Sequence, residues 1–375
     1  MKLLCIYKVM FQYRVPTYER ISKLPNVDFE LLHGSSDKNT KLKNYEGEVD
    51  FKHTQLPTLW FKAVSNNGVS SQQYLPFLFF RLIKRNPDVL FVEGASSSLI
   101  TATIVFLYAK LFRKKLIWWS MGALKNRKYK GIRGALEGYI HYLDRHGDAI
   151  FTYSTQGENY FVSKGVEKKK IFKAINVIDN STKLKELEQS GKIDKMEGFN
   201  IGFVGAINKT KNLELLVDVS KMLQQKYGDV KLHIIGNGDY LDTIKAYVQQ
   251  TEMEDNVIFY GRMVKGLNVK LSQFTVLVLP GLGGLAIVDG MISSLPIISG
   301  LADGTELDLI DETNGFVTSE MTENYLLDKL CYLHDNPQIV STMGAISFEK
   351  ISTIFSFDKY IEIFHECLKW VQGKK

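Results

Sequence analysis

Two doubly wound α/β domains, each a parallel sheet covered by helices, are the architecture this chain predicts. Three observations carry that expectation. Short apolar runs alternate with helical periods along most of the sequence. The alternation breaks at a charged stretch, 183–195, and then starts again. The length of 375 residues suits two domains at roughly 100–200 residues each. The predicted boundaries are 1–178 and 179–354, with a last helix, 355–375, crossing back onto the first domain. Two such series joined by a linker are expected to leave a cleft between them.

In the first half, Lys2–Tyr7 is an apolar strand. A helix over 17–24 follows Pro16, a good first-turn residue. A strand is predicted at 28–32. A helix is expected over 71–84, carrying Leu75, Leu78, Phe79, Leu82 and Ile83 at helical spacing. Strand 88–92, helix 98–111, strand Lys115–Trp119, helix 134–145 and strand Ala149–Thr152 complete the series. The second half opens with a strand, Phe199–Val204, then helix 213–225 and strand 231–235. Helix 240–250, strand 257–260, helix 269–274, strand 276–279, helix 285–293 and strand 297–299 follow. The final helix, 357–371, sets Tyr360, Ile363, Phe364, Cys367 and Leu368 on one face and so requires a partner surface.

The composition, 45% hydrophobic, 12% aromatic and 23% charged, is that of a globular protein and excludes disordered, collagen-like and coiled-coil chains. Cys5, Cys331 and Cys367 are too far apart for a CxxC pair, which fits a reducing compartment. The N-terminus reads as a first strand rather than a signal peptide. The most apolar run, 99–111, is shorter than the roughly 20 residues a spanning helix needs. The net charge of +6 is concentrated: 113–133 holds eight basic residues and no acidic one, with Trp118, Trp119, Tyr129 and Ile132 interleaved. That mixture suits an anionic membrane surface or a phosphate-bearing substrate. Nucleic acid is not an expected partner, since no zinc-finger or RNP-like pattern occurs.

The strongest local signal is LVLPGLGGLAIVDGMISSLPIIS, 277–299, in which an apolar strand runs through Pro280 into Gly281, Gly283 and Gly284 and then a helical pattern. Such a turn presents backbone N–H groups to a phosphate, and glycine lets the chain approach it closely. Asp289 stands on the first turns of the helix, within reach of ribose hydroxyls. A second turn follows Val204, with Gly205 and then Asn208, Lys209, Thr210 and Lys211, where a lysine is a point charge for a diphosphate. IIGNGDY, 234–240, has Gly236 and Gly238 but Leu241 where a third glycine would complete a dinucleotide fingerprint. His141 and His146 are five apart and lack an HExxH context, so no metal site is expected.

Taken in order, these segments resemble glycosyltransferases of the GT-B fold, sequence family 4. FQYRVPTYERI (11–21), NPDVLFVEGASS (86–97), KLIWWSMGA (115–123) and AIFTYSTQGENYFVSKGVEKKKIF (149–172) with AINVIDN (174–180) are similar to the first domain of that family. GFVGAINKTKNLELLV (202–217), DNVIFYGRM (255–263) and PGLGGLAIVDGMISSLPII (280–298) are similar to its donor-binding domain. The resemblance implies two Rossmann-like domains facing a central cleft, acceptor on the first and nucleotide-sugar donor on the second. It implies donor phosphates at the amides of Gly283, Gly284 and Leu285, with Gly205 in the opposing turn and Lys211 as the phosphate cation. Asp289 matches the second acid of the family's E-x7-E pattern, and the backbone near Arg262 and Met263 matches the base-contacting loop. Arg14, on the loop after the first strand, is expected on physical grounds to reach the diphosphate. The catalytic set is therefore Lys211, Asp289 and Arg14.

The chain departs from the pattern at three places. Gly281 stands at the first acid of E-x7-E, Ala206 at the turn arginine, and the neighbourhood of Met121 at the cleft histidine. The implied activity is a retaining, metal-independent hexosyl transfer in surface-polysaccharide synthesis. It needs no cofactor beyond the donor, with a UDP-sugar the first expectation and GDP-mannose the second. The acceptor is a glycan or lipid-linked glycan. The expected location is the cytoplasm, peripheral on the inner membrane face through 113–133. The alternatives are a non-catalytic nucleotide- or glycan-binding protein and a nucleotide-sugar epimerase of similar fold, with an NAD-dependent oxidoreductase suggested only by 234–240.

Overall fold

The computed structural model describes residues 1–37, 42–65, 68–122 and 132–373. The chain divides into two compact units, Met1–Ile178 together with Asp358–Lys375, and Asp179–Phe357.

The first unit contains β1 (Lys2–Tyr7), β2 (Asp28–Gly34), β3 (Lys52–Leu56), β4 (Leu59–Ser65), β5 (Gly68–Tyr74), β6 (Val89–Glu93), β7 (Lys115–Trp119), β8 (Ala149–Thr152) and β9 (Ile171–Lys173). Seven of these form one sheet in the order β3-β2-β1-β6-β7-β8-β9. Every neighbouring pair in it is parallel. A parallel sheet covered on both faces needs strands that are apolar throughout, and β1, β6, β7 and β8 are buried almost end to end. The helix Phe357–Gly373 packs on this sheet: the Phe364 ring lies 4.8 Å from Phe91 and 5.4 Å from Phe151. Ile361 joins Tyr360, Phe364, Cys367 and Leu368 among the buried residues of its inner face, whereas Ile363 is only half-buried.

The helix expected over 71–84 is shorter than its apolar spacing suggested. Its first part is strand β5, paired antiparallel with β4 in a hairpin of register Leu59↔Tyr74 to Ser65↔Gly68. The helix runs only from Leu78 to Arg85. Pro76 disfavours helical backbone at Leu75, and Phe77 at φ 61° breaks the chain before the helix starts. The polar run Gly68–Tyr74 has no inward face for a helix to bury, whereas a hairpin satisfies its backbone locally.

The second unit holds β10 (Phe199–Val204), β11 (Val230–Ile235), β12 (Val257–Gly261), β13 (Val276–Leu282), β14 (Ile297–Gly300) and β15 (Gly315–Thr318). Their order is β12-β11-β10-β13-β14-β15, again parallel throughout. Counted within the unit, that order is 3-2-1-4-5-6, the doubly wound arrangement. The charged stretch near 183–195 begins as a helix, Ser181–Ser190.

Of the basic segment 113–133, residues 123–131, including Lys125, Arg127, Lys128 and Lys130, lie outside the described residues. Its tryptophans do not face a membrane. Trp118 and Trp119 are fully buried in β7, and Trp118 Nε1 donates to the carbonyl of Leu143 at 3.0 Å. Strand alternation offers no outward face where both sides of a sheet are covered.

Candidate functional site

In an open doubly wound sheet, ligands bind beyond the carboxyl ends of the strands, where the strand order reverses. In the second unit that point lies between β10 and β13. The turn after β10 carries Lys211 and the turn after β13 carries Gly283 and Gly284, so two segments about 70 residues apart in sequence meet there.

Their contact is close. A Cβ at Gly281 would sit 2.1 Å from the carbonyl oxygen of Thr210 and 2.8 Å from the Cα of Lys211. Only glycine admits that approach. The Lys211 Nζ donates to the carbonyl oxygen of Leu282. Burial lowers the Lys211 pKa and Glu306 opposes that shift. Lys209, by contrast, is exposed on the outer side of the same turn.

Gly284 adopts φ 64° with open space where a side chain would be, and the helix Ala286–Ile292 begins two residues later. Among the described residues, no hydrogen-bond acceptor engages the N–H groups of Gly283, Gly284 or Leu285. Seven residues make a short helix with a small dipole, so these amides, rather than the dipole, are what the turn offers to an anion.

Asp289, three residues into that helix, is 9% exposed. The Lys183 Nζ, from helix Ser181–Ser190, donates to its carboxylate. Burial raises the Asp289 pKa, with Lys183 opposing. Asn268 Nδ2 and Ser293 Oγ donate to the Asp289 carbonyl at 2.9 and 2.8 Å and fix this helix turn.

Gly205 donates to the carbonyl of Ile235 at 3.0 Å and lies at the end of β10. Arg262, exposed, and Met263, half-buried, follow the end of β12 on the same sheet edge. The 236–240 turn braces this edge: Ile207 N–H donates to the Asn237 carbonyl at 3.0 Å, and Tyr240 N–H to the Ile207 carbonyl at 3.2 Å. Its glycines thus serve packing between loops.

Two residues of this edge have no signal in the motifs. Lys183 sits in a stretch that reads as solvated. Glu306, after β14, is fully buried, and its carboxylate accepts from the Gly304 N–H at 3.0 Å. Burial, then the Asp303 charge, raises the Glu306 pKa.

In the first unit the corresponding reversal lies between β1 and β6. Arg14 is near it but is turned inward, only 3% exposed. Its guanidinium lies 4.5 Å from the Trp119 ring and 5.5 Å from Tyr153. The turn Gln12–Arg14 runs directly into the helix Val15–Ser22, which points the side chain at these aromatic faces. Arg14 is therefore a buried cation against aromatic faces rather than an exposed loop residue, which differs from the expected reach toward a diphosphate. What the loops after β1 and β2 do form is a cavity of about 700 Å³, lined by Gln12, Ser36, Asp37, Lys43, Asn44, Tyr45 and Glu46. Asn44 holds it together: Met10 N–H donates to Asn44 Oδ1 at 2.7 Å, and Asn44 Nδ2 donates to the Gly34 carbonyl at 2.8 Å. A smaller cavity, about 120 Å³, is bounded by Lys2, Asp28, Lys52 and Arg85 at the amino ends of β1–β3, away from the ligand edge.

Residues 185–346 match the family model described as Glycosyl transferases group 1. The chain is 25% identical over 199 residues to the poly(ribitol-phosphate) alpha-N-acetylglucosaminyltransferase of Staphylococcus aureus, a match covering 51% of this chain and 39% of that protein. The chain thus spans well under two thirds of that relative's length. Among solved structures, it is similar to Anabaena Alr3699/HepE in complex with UDP, with TM-score 0.73, 14% identity, and 98% and 100% of the two chains covered. It is also similar to a mutant of S. aureus TarM in complex with Fondaparinux, alpha-GlcNAc-glycerol and UDP, with TM-score 0.63, 13% identity, and 98% and 99% covered. These likenesses establish the GT-B fold.

Proposed function

We propose that this chain, a GT-B protein carrying a glycosyl transferases group 1 domain, moves a sugar from a nucleoside-diphosphate sugar to a glycan or lipid-linked glycan during surface-polysaccharide synthesis. One observation carries the reading: at the strand-order reversal of the second unit, the Lys211 ammonium donates to the Leu282 carbonyl, directly ahead of the amides of Gly283, Gly284 and Leu285. In this reading the donor diphosphate takes those amides and Lys211. Its pyrophosphate displaces the Leu282 carbonyl as the partner of Lys211. Asp289 accepts from the ribose, with Lys183 holding its carboxylate, and the backbone at Arg262 and Met263 borders the base. UDP is the first nucleotide to test and GDP the second; the structures of HepE and TarM named above both hold UDP.

The reaction breaks the bond between the sugar C1 and a diphosphate oxygen and forms one from C1 to an acceptor hydroxyl oxygen, whose proton passes to the departing diphosphate. Stabilising the departing diphosphate is the main task, and fixed amide dipoles with a partly desolvated cation do this without reorganising. We assign retention of configuration with no protein nucleophile, and transfer without a metal, Lys211 supplying the positive charge. Acceptor binding is assigned to the first unit, at the cavity bounded by Asp37, Lys43, Asn44 and Glu46. The segment 113–133 would then contact anionic lipid or a lipid diphosphate at the cytoplasmic membrane face.

A second reading, a donor-binding protein without turnover, is favoured by one observation: Gly281 replaces an acid and leaves no room for one. Incubation with radiolabelled nucleotide sugars and membrane extract separates the two. Label entering a polymer or lipid supports transfer. Donor binding with no transfer or hydrolysis across the panel supports the second reading, and conversion of the nucleotide sugar with no acceptor present would indicate an epimerase.

A further inference from the structure

Helix Leu99–Leu111 carries no charged residue until Lys110 and is apolar on its inner and outer sides alike. A helix of that kind is ordinarily enclosed, and this one is not. Its inner side, with Ala102, Val105 and Tyr108, is buried in the first unit. Its outer side presents Ile100, Leu107 and Leu111, the last 68% exposed, at the i, i+7, i+11 spacing of one helical stripe.

Helix Leu78–Arg85 packs beside it: the Tyr108 hydroxyl donates to the Leu82 carbonyl at 3.1 Å. This second helix exposes Phe80 at 68% and Ile83, and Phe77 just before it at 72%. Ring contacts from Phe80 to Phe79 at 6.3 Å, and from Phe79 to Phe112 at 6.3 Å, connect the two helices' exposed apolar groups. The face carries charge of one sign. Residues 76–87 and 94–136 contain no aspartate or glutamate. Arg81, Lys84, Lys110 and Arg113 are all exposed along it, and among the described residues no carboxylate pairs with any of the four.

We propose that the outer face of helices Leu78–Arg85 and Leu99–Leu111 is a docking surface for an anionic lipid bilayer. Exposed phenylalanine and leucine enter the headgroup boundary, and the surrounding arginine and lysine meet lipid phosphates. The sign of the charge selects this occupant. A second copy of the chain, docked two-fold on the same face, would bring like charges together. This surface is remote from the donor turns in sequence, and lipid docking there does not depend on whether the chain transfers sugar.

The test is flotation of the full chain with vesicles of equal phosphatidylcholine and phosphatidylglycerol, and with phosphatidylcholine alone. The wild type is expected to float with the mixed vesicles and not with phosphatidylcholine. Leu107→Glu with Leu111→Glu should weaken flotation at least about tenfold while leaving the thermal midpoint and the nucleotide-induced shift unchanged. A second variant, Arg81→Glu with Lys84→Glu, should weaken binding with no apolar change, and the remaining binding should show a reduced salt dependence. Wild-type flotation by both variants overturns the proposal. So does absence of binding by the wild type, or a wild-type dimer in sedimentation that the Leu variant dissociates. The nucleotide shift is read on the same samples, so loss of the donor site registers separately.

Discussion

Gly281 and Thr210 stand so close that a Cβ on the glycine would lie 2.1 Å from the Thr210 carbonyl oxygen. The turn carrying Lys211 thus fills the space that any side chain at position 281 would need. Gly281→Glu should therefore not restore an acid; it should push the two turns apart. We expect a loss of about 2–3 kcal/mol in unfolding free energy and no thermal shift with UDP or GDP. A stable, nucleotide-responsive variant would show that the contact is dispensable.

Lys211→Ala removes the cation but not the turn, whose backbone is held by Asn208 Oδ1 accepting from the Thr210 N–H at 3.1 Å. Turnover should fall by about 100-fold or more, with the thermal midpoint little changed. An unchanged rate in an assay that detects wild-type transfer would take Lys211 out of the site.

Asp289 is a buried acid whose pKa lies above its ordinary value, and Lys183 restrains that shift. Lys183→Met should raise it further. A carboxyl whose folded pKa exceeds its unfolded value costs stability as pH rises from the unfolded pKa to the folded one, and the cost disappears below the unfolded one. The variant should thus lose about 2 kcal/mol relative to wild type at pH 8 and distinctly less at pH 4. Denaturant unfolding at the two pH values checks this, and a pH-independent loss would indicate a packing effect alone.

Asp144 is buried in the first unit, and burial pushes its pKa up to about 7. By the same sign, stability is lost as pH climbs from the ordinary carboxylate range to that value, and the full cost is present above it. Asp144→Asn should stabilise the protein at pH 8 by on the order of 2 kcal/mol more than at pH 5, read from unfolding curves of the two proteins at both pH values.

Charge reversal at Lys125, Arg127 and Lys128 tests the membrane contact assigned to 113–133. Vesicle binding should weaken. Unchanged binding would return that segment to an ordinary solvated role, and would leave the face around Leu107 and Phe80 to be judged on its own variants.

The central strands of both sheets were legible because a doubly covered strand must be apolar along its length, as in Phe199–Val204 and Lys115–Trp119. The glycine turn at 281–284 was legible because few residues tolerate its geometry. The β4–β5 hairpin was not: its polar strands lack the alternation that a half-buried sheet imposes, and the apolar residues just beyond it suggested one long helix. Trp118 and Trp119 are strand residues, as their apolar run predicts, yet beside so many basic residues they also suit a surface patch, since composition does not reveal direction. Lys183 was hidden for a different reason. It is 106 residues from Asp289, and its charged neighbours are what a solvated helix carries. Arg14 could be placed after β1, but whether its side chain turned toward ligand or toward Trp119 depended on packing that no local pattern encodes.

A crystal structure of the chain soaked separately with UDP and GDP at millimolar concentration is the sharpest test of diphosphate binding at the 281–285 turn. Diphosphate oxygens are expected within hydrogen-bonding distance of the Gly284 and Leu285 amides and of Lys211 Nζ, with the lysine released from the Leu282 carbonyl. Nucleotide bound elsewhere, or neither compound bound and Lys211 still on Leu282, would contradict it.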